Sequence, residues 1–194
     1  ASRYAVETIV QSVQGSRDTS PVMILREAIW KANQAVVEKS RTDIDLEGMG
    51  TTVVAATVDG SELCVANVGD SRLYIAGEYF EQITKDHSYV QEMVRRGELR
   101  AEIARIHPDR NIITRAVGGG MGIEVDFFEV ELAENDRILM CSDGLTDMLE
   151  DREIFEIIKT GVSSEDIVEM LVGQANRYGG NDNITVILTE PFEW

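Results

Sequence analysis

The chain has 194 residues, of which 43% are hydrophobic, and 35 acidic against 18 basic residues give it a net charge of −17. This length suits one domain with a buried core, and the longest uncharged apolar run, residues 51–58, is far too short to span a bilayer. The negative charge would repel nucleic acid and an anionic lipid surface, so we expect neither as a partner. The acidic surplus indicates either an ordinary solvated surface or carboxylates gathered around cations.

The cysteines and the first residues bear on the cellular context. Cys64 and Cys141 each fall inside an apolar strand candidate, which is typical of small buried residues in a reducing compartment rather than of a disulfide framework. We therefore expect a cytoplasmic protein. The opening "ASRYAVET" already has a helical pattern, without an initiating Met or a secretory signal, which suggests a fragment or a processed product.

Two helices are predicted first. Apolar residues at helical spacing indicate a helix capped by Ser2 that ends at Gly15, and a longer helix that starts at Ser20 and Pro21. The second helix is expected to end before Ser40. Its predicted buried face carries Leu25, Ile29, Ala32 and Val36.

Strands follow the helices. Residues 51–58 and 61–68 flank Asp59-Gly60, which predicts a hairpin with a type I′ turn. "RLYIAG" and "EYFEQIT" predict a second pair that turns at Gly77-Glu78, and we expect the four strands to form an antiparallel meander. The charged residues 86–110 read as an insertion packed on the outside, with a short helix. The remaining predictions are strands near 111–117, at 124–132, at "DRILMCS" and at "NITVILT", and capped helices at about 150–160 and 163–178.

This order of elements predicts the fold class. Helices and strands are grouped, with no alternation of strand, helix and strand, so we expect an α+β layered fold built on antiparallel sheets, in a single domain over 1–194.

Three aspartates stand out by their positions. Asp70 and Asp143 each come at the carboxyl end of an apolar strand, and Asp182 comes just before the amino end of another. Because antiparallel neighbours bring such ends together, these carboxylates are candidates for one Mg²⁺ or Mn²⁺ site. The alternative is that Asp and Gly at strand ends are simply turn formers. No zinc spacing, P-loop, nucleophile elbow or dinucleotide-binding glycine motif competes with this interpretation.

Six motifs together resemble a known family. "GMGTTVVAATV", "VANVGDSRLYI", "TKDHSYV", "IITRAVG", "LMCSDGLTD" and "GGNDNITVILTE" look, in order and spacing, like those of metal-dependent serine/threonine protein phosphatases of the 2C type, particularly compact bacterial members. The resemblance covers essentially the whole chain. It implies a sandwich of two antiparallel β-sheets flanked by helix pairs, with metal ions in a channel at one end. It also implies phosphoprotein substrates of a serine/threonine kinase.

The resemblance assigns roles to individual residues. Asp143 and Asp182 match ligands of a core pair of Mg²⁺ or Mn²⁺ ions, and Asp70 matches a ligand that, with Asp143, holds a third and weaker ion. The insertion 86–110 matches a flap that influences substrate choice. Four flap arginines are candidates for contact with a phosphopeptide, the alternative being solvated helix charges: Arg95, Arg96, Arg100 and Arg105.

The chain departs from the family pattern at its front. Two strands with a Glu-Asp pair, a phosphate-binding Arg and a metal-bridging Asp are absent from these 194 residues, so we expect weak metal binding and negligible turnover by the chain alone, and self-association through the vacated sheet edge. Two further interpretations are a non-catalytic, phosphatase-like binding or regulatory module and a sporulation-type phosphatase. The flap-like insertion argues against the sporulation type.

Overall fold

The computed structural model describes residues 1–190. The chain forms two compact units: one contains Ala1–Asp70 and Asp86–Val130, and the other contains Ser71–Lys85 and the chain from Glu131 onward. In chain order the helices are α1 (Ser2–Gln14), α2 (Pro21–Thr42), α3 (Tyr89–Arg95), α4 (Ala101–Ala104), α5 (Asp143–Thr146), α6 (Asp151–Ile158) and α7 (Ser164–Arg177). The strands are β1 (Val53–Asp59), β2 (Glu62–Val68), β3 (Arg72–Ala76), β4 (Phe80–Gln82), β5 (Asp126–Glu131), β6 (Arg137–Cys141) and β7 (Val186–Thr189).

Helices α1 and α2 match the predictions except at their ends. α1 ends at Gly15 as expected, but its N-cap is Ala1, so the prediction of Ser2 as the cap is wrong. α2 follows Ser20 with Pro21 in its first turn, as predicted, and continues to Thr42 rather than ending before Ser40. The extension is polar, and helical backbone bonds continue through it because nothing in its sequence breaks a helix.

The first unit contains an antiparallel sheet in the order β1-β2-β5. Asp59 pairs with Glu62, so the hairpin loop is Gly60-Ser61, one residue later than predicted. Gly60 has φ +60°, whereas no residue other than glycine has a positive φ among the described residues, so Ser61 does not. A positive φ at only the first loop residue is the type II′ pattern, because type I′ needs it at both.

Helix α2 closes the core of the first unit. All four residues predicted for its buried face are buried: Leu25, Ile29, Ala32 and Val36. They pack in one cluster with Ala5 of α1 and with alternate residues of β2, such as Cys64, Ala66 and Val68. The strand therefore presents every second side chain to the helices, as the pleat of a strand requires.

The second unit contains an antiparallel sheet in the order β4-β3-β6-β7. Its core joins Tyr74, Leu139 and Cys141 of the sheet to buried residues of α6 and α7. α6 begins with a capping box between Glu150 and Glu153, and α7 is capped by the Ser163 side chain, so both helices are capped as predicted. Cys64 and Cys141 are free and buried, which confirms their predicted structural role.

Three predictions of local structure are wrong. The first four strands do not form a meander, because β2 pairs with β5 and β3 pairs with β6 in a separate sheet. Residues 111–117 form no strand; Ile113 and Val117 each make only an isolated bridge. The insertion 86–110 carries two short helices, and its first residues are not on the outside, since His87 and Ser88 are buried. The two strand errors concern pairing with a distant segment, which local sequence does not determine.

The fold class itself is confirmed as α+β with two antiparallel sheets and accompanying helices. Of the helices in residues 1–190, none combines the length and the hydropathy that crossing a bilayer requires.

Candidate functional site

The candidate site lies at the edge of the second unit's sheet where β6 ends and β7 begins. Cys141 pairs with Val186, so the antiparallel register brings the segment after β6 beside the segment before β7. Asp143 follows the first strand by two residues, and Asp182 precedes the second by four. The sequence prediction that antiparallel pairing would place these two aspartates at one edge is therefore confirmed.

Hydrogen bonds join the two segments. Ser142 donates its backbone N–H to the Thr185 carbonyl at 3.1 Å and its hydroxyl to the Asn183 carbonyl at 3.0 Å. The same hydroxyl accepts the Thr185 N–H at 3.0 Å. A methyl group at Gly144 would come 2.4 Å from the Asn183 carbonyl oxygen, so only glycine permits this approach. The segment that carries Asp182 is thereby held against the first turn of α5.

The glycines before Asp182 turn the chain into this edge. Gly179 has φ +130° and Gly180 has φ +53°, a region that L side chains rarely adopt. The Asp182 carboxylate accepts the Asn183 N–H at 2.6 Å. The prediction that two glycines would provide a tight turn beside this carboxylate is confirmed.

Negative charge is concentrated around Asp143. Burial raises the pKa of its carboxyl above the ordinary value, and the nearby carboxylates of Asp147 and Asp182 raise it further. A raised pKa means that the protein disfavours a bare charge at this position. A bound cation would relieve both the burial penalty and the repulsion.

Asp147 is a member of this group that the sequence analysis did not single out. It ends the single turn of α5, four residues after Asp143, and its N–H donates to the Asp143 carbonyl at 2.7 Å. Residues four apart share a helix face, so the motif "SDGLTD" contained the signal. The analysis missed it because α5, only four residues long, was not predicted.

These carboxylates alone do not complete the coordination of a metal ion. Throughout residues 1–190, no group of three or more His, Cys, Asp or Glu side chains is close enough together to hold a metal ion. Coulomb repulsion extends over longer distances than ligation, which explains why Asp143 still responds to both neighbours. Carboxylate oxygens are the ligands that hard cations such as Mg²⁺ prefer, and these cations usually keep several water ligands.

The other predicted site residues lie in the first unit. Asp70 follows β2 at the expected strand end, and its participation in a site with Asp143 stays a prediction. Arg95 and Arg96 both approach Glu92, at 4.0 and 3.5 Å, and their side chains are about half exposed or more. Arg100 is the N-cap residue of α4. Contact of these arginines with a phosphopeptide stays a prediction.

A second polar network surrounds His87 in the first unit. Its buried ring accepts the Gly69 N–H at Nδ1 at 3.1 Å, so the ring proton of the neutral form lies on Nε2, which donates to Asp126 at 3.1 Å. Arg115 donates to the other oxygen of Asp126 at 2.8 Å. Burial alone would raise the pKa of the Asp126 carboxyl, but its bonds to His87 and Arg115 hold that pKa below the ordinary value.

This network fixes the backbone beside Asp70. The His87 N–H also donates to the Gly69 carbonyl, so two hydrogen bonds join the start of the 86–110 segment to the turn after β2. The sequence analysis placed His87 in a polar insertion and missed this role. No local sequence pattern predicts this role, because the hydrogen-bond partners of His87 are 18 and 39 residues away in the chain.

Comparison with known proteins agrees with this architecture. The family model for protein phosphatase 2C matches residues 1–188. The serine/threonine phosphatase stp of Listeria monocytogenes is 44% identical over 167 residues, which cover 86% of this chain and 66% of the relative. The chain thus spans about two thirds of the length of this curated relative.

Solved structures give the same result. Serine/threonine phosphatase Stp1 from Staphylococcus aureus superposes with a TM-score of 0.93 at 34% identity, covering 97% of this chain and 76% of that one. The catalytic domain of the serine/threonine protein phosphatase PstP, solved in complex with two manganese ions, has a TM-score of 0.86 at 31% identity, covering 96% and 78%. With a family match over nearly its whole length and the carboxylates at the sheet edge, the chain belongs to the protein phosphatase 2C family.

Proposed function

We propose that this protein hydrolyses phosphoserine and phosphothreonine in proteins with the aid of Mg²⁺ or Mn²⁺. The observation that carries the proposal is the antiparallel register of β6 and β7, which brings Asp143 and Asp182 to the same end of the sheet. Burial and the carboxylates of Asp147 and Asp182 raise the pKa of Asp143, which agrees with a position where a cation is held. The manganese-bound neighbour and the phosphatase names of the relatives support the same activity.

Within this proposal the aspartates have separate tasks. Asp143 and Asp182 hold the core metal ions, and Asp147 adds a third negative charge that favours divalent over monovalent cations. Asp70 contributes with Asp143 to a third, weaker ion. When bound, such ions lower the pKa of a water ligand and neutralise phosphoryl oxygens. Ser142 and Gly144 keep the two ligand segments in register.

The substrates and their surroundings follow from the same activity. We propose phosphoproteins made by a serine/threonine kinase as substrates, in the cytoplasm. The arginines Arg95, Arg96 and Arg100 of the flap-like 86–110 segment are proposed contacts for the phosphopeptide. Release from Glu92 would free the first two to pair with phosphate, with which arginine forms bidentate bonds.

A titration with Mn²⁺ tests the proposal. The chain and its Asp182→Asn variant are compared by calorimetric binding of Mn²⁺ and by phosphate release from a phosphothreonine peptide. Loss of one anionic ligand is expected to weaken Mn²⁺ binding at least about tenfold. Glu134→Gln is the matched control, since it removes one exposed carboxylate near the opposite end of β6.

The outcomes separate the claims. Equal Mn²⁺ affinity in the chain and in Asp182→Asn would refute the ligand assignment. Tight Mn²⁺ binding by the chain would contradict the weak binding that the sequence predicts, and phosphate release by the chain would contradict the predicted negligible turnover while supporting the proposed activity.

A further inference from the structure

A groove runs between α6 and α7 on the side of these helices that faces solvent. Its volume is about 780 Å³. The opposite side of α7 carries Ile167, Leu171 and Ala175, which are fully buried in the core of the second unit. The groove is therefore not part of that core, and neither Asp143 nor Asp182 lines it.

The floor of the groove is apolar and open. Ile157 and Met170 line it on either side, and Met170 is 42% exposed. Gly173 also lines the groove, in the interior of α7 and three residues after Met170, and a methyl group there would meet no atom within 4 Å. Glycine in a helix interior costs about 1 kcal/mol relative to alanine. Because the packing of this chain does not require a glycine, its absent side chain leaves room for a close approach from outside.

The ends of the groove carry opposite charges. The Tyr178 hydroxyl donates to Glu153 at 2.9 Å, which places the C-terminal end of α7 beside the start of α6. Arg152 and Arg177 line this end of the groove, and both are exposed. The Glu153 carboxylate at this end keeps its charge while it accepts the N–H of Glu150. Two arginines against one carboxylate leave this end with a net positive charge.

The other end of the groove is acidic. Glu156 lies one turn further along α6, and Glu169 lies in the first half of α7; both are exposed. The groove thus presents a positive end, an apolar floor and a negative end. From residue 166 to residue 177, which line its two ends on α7, the distance is about 17 Å at the helical rise of 1.5 Å per residue.

We propose that this groove docks an amphipathic helical segment of another protein, about three turns long, with acidic residues at one end and basic residues at the other. Apolar side chains at helical spacing would rest on Ile157 and Met170 and reach the open backbone at Gly173, as in other helix-in-groove interfaces. The acidic end of the segment would face Arg152 and Arg177, and its basic end Glu156 and Glu169. Complementary charges of this kind set the direction of docking and disfavour segments whose charged residues all have the same sign.

A second copy of this chain fits the groove less well. Two concave surfaces placed face to face leave their volumes unfilled. A protruding helix fills the space and satisfies both charged ends.

Synthetic peptides of about twelve residues test the proposal by fluorescence anisotropy with the full chain. The mixed peptide carries leucines at helical spacing, glutamates in its first turn and lysines in its last, an order that also suits the helix dipole. The acidic peptide has glutamates at both ends, and the polar peptide replaces the leucines by serine. We expect the mixed peptide to bind at least about tenfold more tightly than either control peptide.

Protein variants locate the binding surface. Gly173→Leu fills the groove from a position where a Cβ atom would meet nothing within 4 Å, so the variant should fold, which its thermal melting curve checks. It should weaken binding of the mixed peptide at least about tenfold. Joint substitution of Glu156→Lys and Glu169→Lys makes both ends positive and should shift the preference to the acidic peptide. Asp182→Asn should bind the mixed peptide like the unchanged chain, whatever its effect on Mn²⁺.

Three results would overturn the proposal. The first is equal binding of the mixed peptide by the chain and by Gly173→Leu. The second is no binding of that peptide up to about 1 mM. The third is a concentration-dependent dimer that Gly173→Leu abolishes, which would assign the groove to a second copy.

Discussion

Two glycine-to-alanine substitutions in the second unit should have opposite effects on stability. At Gly144 the new methyl group would lie 2.4 Å from the Asn183 carbonyl oxygen, where ordinary van der Waals contact begins at 3.4 Å. The segment that carries Asp182 must therefore move by about 1 Å, and overpacking of this kind costs about 1–3 kcal/mol. At Gly173 nothing lies within 4 Å, so alanine should stabilise the helix by about 1 kcal/mol.

Urea denaturation followed by circular dichroism measures both effects. The unfolding free energies of Gly144→Ala and Gly173→Ala should differ by about 2–4 kcal/mol, the sum of the two contributions. For a chain of this size each kcal/mol corresponds to about 2–4 °C in melting temperature. Equal midpoints for the two variants would refute the reasoning, since the substitution is the same and only its surroundings differ.

The first substitution also tests the proposed site. Moving the 182–184 segment separates Asp182 from Asp143, so Gly144→Ala should weaken Mn²⁺ binding at least about tenfold, whereas Gly173→Ala should leave it unchanged. Undiminished Mn²⁺ affinity in Gly144→Ala would show that this edge does not hold the ion.

Three other substitutions have definite expected outcomes. Folding raises the pKa of Asp143, so the folded state favours the protonated carboxyl. This stabilisation of the folded state is present at low pH and is lost as the pH rises through the folded pKa. Without metal at pH 7, Asp143→Asn should therefore increase the unfolding free energy, because it removes the burial penalty of the charge and two like-charge contacts of about 0.2–0.5 kcal/mol each; a decrease in the urea midpoint would contradict this. Folding lowers the pKa of Asp126, so its effect on stability has the opposite pH dependence. The ionised carboxylate stabilises the folded state above the ordinary pKa of 3.8, and this stabilisation is lost as the pH falls through the folded pKa. The stability gap between the chain and Asp126→Asn should thus narrow on acidification, and a constant gap from pH 7 to about pH 3 would show that His87 and Arg115 do not stabilise this carboxylate. Tyr74→Phe removes a buried hydroxyl that accepts from Arg72 at 3.0 Å and donates to a carboxylate at the start of α6 at 3.1 Å. We expect the free energy of unfolding to fall by about 1 kcal/mol, which thermal melting measures. An unchanged melting temperature would show that water replaces both bonds.

Local sequence signals predict the positions of most elements and part of the site. Helices α1, α2, α6 and α7 follow from apolar spacing, and α6 and α7 also from their capping residues; both signals act within a few turns of the chain. Asp143 and Asp182 were placed together because a strand end and a strand start meet whenever the two strands pair in antiparallel fashion. That inference needs only one pairing to be right.

Only the tertiary structure decided which strands pair. The hairpins β1-β2 and β3-β4 follow each other along the chain, yet they belong to separate sheets, because β2 and β3 each pair with a strand from much later in the sequence. An alternating pattern tells which face of a strand is buried but not which neighbour it has. The meander was predicted from adjacency alone and was wrong for this reason.

The tertiary structure also decided how polar residues are shared between distant segments. His87 contacts Gly69 and Asp126, and Gly144 meets Asn183, across separations that no local pattern spans. Asp147 joins Asp143 only because residues 143–146 form one helical turn, which is too short to leave a periodic signal. Local propensities act over a few residues, whereas burial and hydrogen bonding act between any segments that the fold brings together. The electrostatics of this site depend on burial and hydrogen bonding.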